Sequence, residues 1–160
     1  MPGDLFKQLP FFQGLSSEQL ALLRPLFTPC DYQANETIFE QGDRAEYLYI
    51  LVIGEVSVEF KPHDGPVLTI ARLKPGSLFG WSAALGSHVY TSGAISNQYT
   101  QLLRVRGTDL SRLCERYQNL SEIILNRLAD VIADRIRSAH PQVIAMLESG
   151  LLNGAHKTGG

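Results

Sequence analysis

Short hydrophobic stretches, separated by turn-forming residues, run through the middle of the chain. In Val56–Phe60, hydrophobic and polar side chains alternate with the period of two that a half-buried strand shows. Pro62–Pro66 contains two prolines, an aspartate and a glycine, which predict a hairpin loop. We predict strands at Thr37–Phe39, Tyr47–Ile53, Val56–Phe60, Val67–Leu73 and Tyr99–Val105. Many short strands at regular intervals favour a β sandwich or barrel.

A helical pattern precedes these strands. Hydrophobic residues between Leu20 and Phe27 recur at helical spacing, and Ser16 or Ser17 is a candidate N-cap. We expect Pro29 to end this helix, because proline lacks the backbone donor that a helix interior needs.

Helical spacing returns after the strands. A first helix is predicted from a cap at Thr108 or Asp109 to about Tyr117, and a second from 119–121 to His140. In the second helix the apolar side chains span an arc of roughly half the circumference. They are Leu120, Ile124, Leu125, Leu128, Ala129, Val131, Ile132, Ile136 and Ala139. Because one packing face needs less, we predict contact with both the β region and a partner helix, and therefore a homodimer through the helix around 119–139.

Charged residues on the same helix mostly avoid this arc. Arg127, Asp130, Asp134 and Arg137 project to the opposite side, which we expect to face solvent. Arg135 instead projects inside the arc. Two interpretations stay open: its stem packs while its head reaches water or an acid of a second subunit, or it points at an anionic or polar ligand.

Composition sets broad limits. The 160 residues carry a formal net charge of −2, and 44% are hydrophobic. We expect one domain, no nucleic-acid binding by this chain alone and a cytoplasmic location, since no apolar run reaches the ~18 residues of a membrane span. Cys30 and Cys114 are isolated, so no metal or iron–sulfur site is predicted.

The segment from Pro75 to Leu103 contains no Asp, Glu, Lys or Arg. With 19% charged residues in the whole chain, a segment of this length should hold about five or six. Its small, neutral, polar residues are typical of a loop that lets backbone approach another group closely.

Four motifs carry a resemblance to the cyclic nucleotide-binding domain superfamily. They occur at 9–16 (LPFFQGLS), 35–43 (NETIFEQGD), 48–56 (LYILVIGEV) and 73–80 (LKPGSLFG). Together they span most of positions 5 to 135, in the order and spacing of that superfamily. The resemblance implies a mainly β fold with flanking helices, a β-roll of the jelly-roll type, plus a long C-terminal helix. It divides the chain into a sensor domain at 1–107, covering and dimerisation helices at 108–140, and a short helical turn with a flexible tail at 141–160.

The resemblance also implies a ligand site, a phosphate-binding cassette that begins at a glycine. Gly80 matches that glycine, but Trp81 stands where the superfamily has a glutamate, and Val89 to Thr91, where its arginine belongs, are neutral. We expect Trp81 either to fill the pocket or contact a partner, or to stack on a planar ligand. The implied ligand-binding residues are Gly80, Trp81, Ser82, Ala83, Ala84, Tyr90, Thr91, Ser92 and Arg135.

From these residues we predict a regulatory sensor module, not an enzyme, that binds a small ligand other than cAMP or cGMP or binds these only weakly. The ligand and any cofactor stay unidentified, because the missing charges argue against a cyclic nucleotide. Two alternatives remain: a structural or dimerisation module with a closed pocket, and the sensor half of a Crp/Fnr-type transcription regulator without its DNA-binding domain. A cupin-type metalloenzyme is disfavoured, since the four histidines are scattered.

Overall fold

Two four-stranded antiparallel sheets face each other and form a β-roll. The structure, a computed structural model, describes residues 3–86 and 88–137, with side chains from residue 6 onward. The strands are β1 (Phe27–Tyr32), β2 (Thr37–Phe39), β3 (Tyr47–Ile53), β4 (Val56–Phe60), β5 (Leu68–Leu73), β6 (Leu78–Phe79), β7 (Gly93–Ser96) and β8 (Thr100–Arg106). The helices are α1 (Gly3–Gln8), α2 (Ser17–Leu23), α3 (Gly107–Arg116) and α4, which is helical over 118–137. This jelly roll with flanking helices and a long C-terminal helix confirms the predicted fold class.

The strand orders are β1-β8-β3-β6 in one sheet and β2-β7-β4-β5 in the other. β4 and β5 pair antiparallel, from Val56 opposite Leu73 to Phe60 opposite Leu68, which confirms the predicted hairpin. The predicted helix end at His140 and the predicted region 141–160 lie outside the described residues.

Three strands were not predicted, and the helix end at Pro29 was wrong. α2 ends at Leu23, a 3₁₀ turn follows at Arg24–Leu26, and Pro29 lies inside β1. The proline is tolerated because β1 is an edge strand of its sheet, with β8 as its one neighbour among the described strands. β6 and β7 lie within the uncharged segment and are two and four residues long, too short for an alternation pattern to be recognised.

The β3 strand separates two hydrophobic cores. Leu48, Ile50 and Val52 pack outward against the helices, with residues such as Phe12 and Leu23. Tyr49 and Leu51 point into the roll, where both sheets contribute to a second core. Because both faces of β3 are buried, its sequence is a continuous hydrophobic run and not an alternating one.

Two helix starts show why local sequence rules succeed or fail. α2 begins with a capping box in which Ser16 and Gln19 exchange backbone–side-chain hydrogen bonds of 3.0 and 3.1 Å, so the predicted cap is confirmed. α3 begins at Gly107, one residue before the predicted cap, and Thr108 does not cap it. A Cβ at position 107 would lie 2.0 Å from the carbonyl oxygen of Ala83. The helix therefore starts where a glycine lets it approach the turn after β6.

α4 packs on the outer core through Leu120, Ile124 and Leu128, which are all buried. Arg127, predicted to face solvent, is instead half-buried: its guanidinium donates to the carbonyl oxygens of Pro10 (2.8 Å), Phe11 (2.9 Å) and Gln13. A helical projection cannot reveal this contact, because the acceptors belong to a turn more than a hundred residues earlier in the chain.

An apolar stripe on α4 stays partly uncovered. Leu125, Ala129, Ile132 and Ile136 follow one another at spacings of four, three and four residues, so they lie on one face. Leu125 is 52% exposed and Ile136 is 65% exposed. Among the described helices none is long and apolar enough to span a bilayer.

Replacing Gly107 with alanine is expected to destabilise the fold by roughly 1–3 kcal/mol, because the new methyl group would overlap main-chain atoms of Ala83, which have little freedom to move. Urea denaturation followed by circular dichroism measures the change. Thr108→Ala, at the exposed neighbouring position, is the control and should shift stability by less than about 0.5 kcal/mol. Equal stability of G107A and the wild type would contradict the proposed close contact.

Candidate functional site

A cavity of about 270 Å³ is lined by strands of the β-roll, by the turn after β6 and by Arg135 of α4. Its walls are mostly apolar, with a few hydroxyl groups and one charged side chain. The lining residues are Phe39, Val58, Phe60, Ile70, Phe79, Gly80, Trp81, Ser82, Tyr90, Thr91, Ser92 and Arg135. Seven of the nine residues that we predicted for the site are therefore brought together; Ala83 and Ala84 do not line it.

Aromatic rings form the inner wall of the cavity. The rings of Phe39 and Tyr90 stack with centroids 3.7 Å apart and planes at 14°. Behind them Tyr49 stacks on Phe79 at 5.2 Å. Three of these rings, Phe39, Phe79 and Tyr90, line the cavity and give it a rigid apolar surface of the kind that accepts flat or aliphatic groups.

The hydroxyl group of Tyr90 is not available to a ligand. It donates to the carbonyl oxygen of Tyr47 (2.6 Å) and accepts from the Tyr47 amide (3.1 Å). Burial raises the pKa of Tyr90, so the phenol stays neutral over the physiological range. Tyr90 therefore contributes its ring to the cavity, whereas its hydroxyl group fixes the end of β3.

Gly80 sets the path of the turn above the cavity. Its φ of 75° lies in the left-handed region, and a Cβ there would lie 3.0 Å from the carbonyl oxygen of Tyr47. A single 3₁₀ turn, Trp81–Ala83, follows directly. This geometry explains why a glycine is needed at the start of the predicted cassette.

The amides of this turn are largely used within it. Ala83 N donates to Gly80 O (3.3 Å), and Ala84 N donates to Trp81 O (2.9 Å). Ala83 and Ala84 were implied as ligand-binding residues, but these bonds occupy their backbone amides and neither residue lines the cavity. Ala83 instead contacts Gly107, as described above. Sequence reasoning missed this because the acceptors depend on the exact winding of a one-turn helix.

The hydroxyl groups of Ser82, Thr91 and Ser92 are the other neutral polar groups among the cavity-lining residues. Ser82 is buried, whereas Thr91 and Ser92 lie at the wall formed by the segment between Tyr90 and β7. Neither Thr91 nor Ser92 forms a side-chain hydrogen bond to another residue that the structure describes. Both hydroxyl groups are therefore free to donate to, or accept from, a bound molecule.

Arg135 is the one charged side chain among the described lining residues. Its Nη2 donates to the carbonyl oxygen of Leu78 (2.7 Å), and its Cζ lies 5.0 Å from the centre of the Trp81 ring. Burial lowers the pKa of Arg135, yet an arginine remains protonated at neutral pH. Trp81, held between this guanidinium and the outer core, lines the cavity without filling it.

The apolar lining of the cavity was not among the site residues predicted from the sequence. Phe39, Val58, Phe60 and Ile70 come from strands β2, β4 and β5, and their inward direction follows from strand alternation once the sheet pairing is known. Within the described residues, no group of three His, Cys, Asp or Glu side chains is arranged to hold a metal ion.

Comparison with known proteins shows similarity to cyclic nucleotide-binding proteins. The family model described as "Cyclic nucleotide-binding domain" matches residues 29–117. The Cyclic AMP receptor protein of Thermus thermophilus is 32% identical over 134 residues, which cover 83% of this chain and 60% of that protein. The chain therefore spans less than two thirds of that relative.

Solved structures share the fold. The catabolite activator protein of Thermus thermophilus superposes with a TM-score of 0.70 at 29% identity, covering 86% of this chain and 62% of the other. A cyclic nucleotide-binding domain from Methylobacillus flagellatus gives a TM-score of 0.78 at 18% identity, covering 89% and 80%.

Proposed function

We propose that this chain, which belongs to the cyclic nucleotide-binding domain family, is a regulatory sensor module that binds a small ligand other than cAMP or cGMP, or binds these two only weakly. The observation that carries the proposal is the cavity of about 270 Å³ whose one charged lining residue, Arg135, comes from the long helix α4. A ligand in this cavity would touch both the β-roll and the helix that leads away from it.

The neutral lining at the cassette positions disfavours tight binding of a cyclic nucleotide. A cyclic phosphate is held best by a fork-shaped cation with backbone donors, and the ribose hydroxyl by a carboxylate. Trp81 and the neutral residues Val89 to Thr91 stand where the family resemblance implies those charged groups. Losing one charge-assisted phosphate contact weakens binding by about 2–5 kcal/mol, or tens to thousands-fold.

The link to regulation is the contact between Arg135 and the turn above the cavity. Its guanidinium bonds to Leu78 O and packs on Trp81, which are both adjacent to the cavity. A ligand that competes for this guanidinium would alter how α4 is held on the β-roll. Such a ligand would interact differently with the protein when α4 is held by Arg135 and when it is released. This difference in binding free energy would shift the equilibrium between the two conformations.

The proposal includes a cytoplasmic location and a non-catalytic role. The support is the likeness to a receptor protein and the composition of the cavity, in which one guanidinium faces apolar and hydroxyl side chains without an acid–base pair among the described lining residues. A structural module with a closed pocket is the second candidate, favoured by the ring stack of Phe39 and Tyr90.

A role as the sensor half of a larger Crp/Fnr-type regulator is compatible with the 60% coverage of the receptor relative.

Isothermal titration with cAMP and cGMP tests the nucleotide part of the proposal. We expect no binding, or a Kd no tighter than about 100 µM. The cavity lacks the cation and the acid of the cassette, and Arg135 is the one charged side chain among its described lining residues. A Trp81→Glu/Thr91→Arg double variant returns an acid to the turn after β6 and a cation to the segment between Tyr90 and β7, and we expect it to bind cAMP at least about tenfold more tightly.

Micromolar or tighter binding of either nucleotide by the wild type would contradict the nucleotide part. The sensor and closed-pocket candidates are separated by the fluorescence of Trp81, the one tryptophan in the chain. A sensor changes its Trp81 emission when a small molecule enters the cavity. A closed pocket leaves the emission unchanged with every compound tried.

The homodimer proposal rests on the apolar stripe Leu125, Ala129, Ile132 and Ile136, whose spacing suits a helix pair. Light scattering after size exclusion should give twice the mass of one chain for the wild type. Leu125→Glu combined with Ile136→Glu should give the monomer mass, because two charges would be desolvated in the pair.

Asn126→Glu is the matched control, since it adds a charge at an exposed position directly beside the stripe. This variant should remain dimeric. A wild type that stays monomeric at concentrations of about 100 µM would refute the helix pair.

A further inference from the structure

The cavity combines a predominantly apolar wall with a single positive charge. Phe39, Phe79, Tyr90 and Val58 supply hydrophobic surface, and among the described lining residues only Arg135 is charged. A ligand that satisfies this site needs an apolar body and one group that complements a guanidinium.

The charge of Arg135 is not neutralised by the described part of the protein. Its hydrogen bond goes to the neutral carbonyl oxygen of Leu78, and its stacking partner is the neutral ring of Trp81. No described carboxylate lies within ion-pair distance of it, and the neighbouring Asp134 pairs with Arg137 instead. Binding of an anion beside a half-buried cation that has no counter-ion is favourable, because it offsets the free-energy cost of burying the unpaired charge.

The number of charges limits the kind of anion. One guanidinium compensates one negative charge, and its planar fork matches the two oxygens of a carboxylate. A phosphate monoester near neutral pH carries more charge than Arg135 alone can balance. The hydroxyl groups of Thr91 and Ser92 are free to support a carboxylate as neutral donors.

The volume limits the size of the apolar body. A dry apolar cavity of ~150 Å³ is enough to hold benzene. The present cavity, at about 270 Å³, has room for one aromatic ring and a short side chain. The stacked rings of Phe39 and Tyr90 offer a flat surface for such a ring.

We infer that the ligand is a small apolar monocarboxylate, an aromatic ring or a similarly sized hydrocarbon group joined by a short chain to a carboxylate that binds Arg135. This inference rests on the proposed sensor function and specifies the class of ligand that the same cavity takes. It makes Arg135 the residue that selects acids over their uncharged analogues.

The test is isothermal titration of the full chain with three probes: 3-phenylpropanoate, its uncharged amide 3-phenylpropanamide, and acetate. We expect the acid to bind at least about tenfold more tightly than the amide, because only the acid forms a charge-assisted pair with the guanidinium. Acetate, which lacks the apolar body, should bind at least about a hundredfold more weakly than 3-phenylpropanoate.

Arg135→Gln should abolish the preference for the acid, so that the acid and the amide bind this variant with affinities within about threefold of each other. Arg137→Gln is the matched control: it removes the same charge two residues later on the same helix, where the side chain is 72% exposed. It should keep the preference. Circular dichroism establishes that both variants fold, and the acid–amide comparison on the wild type stands even if R135Q does not fold.

Equal or tighter binding of the amide would overturn the carboxylate inference while leaving the cavity as a ligand site, so the proposed function would survive. Preference for the acid that persists in R135Q would also overturn it. Failure of all three probes to bind would also overturn the carboxylate inference. The proposed sensor function would be contradicted separately, if the Trp81 emission stayed unchanged with every compound, cyclic nucleotides included.

Discussion

The hydrogen bond from Arg135 to the carbonyl oxygen of Leu78, together with the packing of its guanidinium on Trp81, is the contact on which the candidate site depends. It fixes the last described turns of α4 against the β-roll and places the one charge at the cavity. Because both partners are neutral, the contact holds the helix without cancelling that charge. The same interaction therefore holds α4 on the β-roll and leaves the positive charge of Arg135 available to an anion.

A second arginine attaches the same helix in a similar way. Arg127 donates to three carbonyl oxygens of the N-terminal turn that contains Pro10 and Phe11. Between these two arginines, Leu128 packs into the outer core. α4 is thus held to the N-terminal turn through Arg127, near the middle of its described length, and to Leu78 and Trp81 through Arg135, near its last described turn.

The sequence allowed much of the fold to be predicted, because the signals for it are local or depend on the order of motifs. The capping box at Ser16 and the hydrophobic runs of β3 and β4 are of this kind. Pro29 was misleading, since its role depends on β1 lying at a sheet edge, which is a property of the whole sheet.

The site was predicted less completely, because several of its side chains have partners far away in the chain. The hydroxyl group of Tyr90 is occupied by Tyr47, 43 residues earlier, which no local pattern indicates. The resemblance implied Ala83 and Ala84 as ligand-binding residues, although the winding of a single turn uses their amides internally. The unusual position of Arg135 within an apolar arc was visible in the sequence because it violates helical periodicity, and such violations are expected at functional positions.

The contacts of Arg135 with Leu78 and Trp81 imply that this residue holds α4 on the cavity. Amide hydrogen exchange measured by mass spectrometry tests it most directly, because local opening is read for each segment of the chain. We predict that Arg135→Gln accelerates exchange in peptides covering 78–84 and 128–137, whereas the β4–β5 hairpin at 56–73 and the Arg137→Gln variant behave like the wild type. Unchanged exchange in R135Q over 78–84 and 128–137 would contradict the claim.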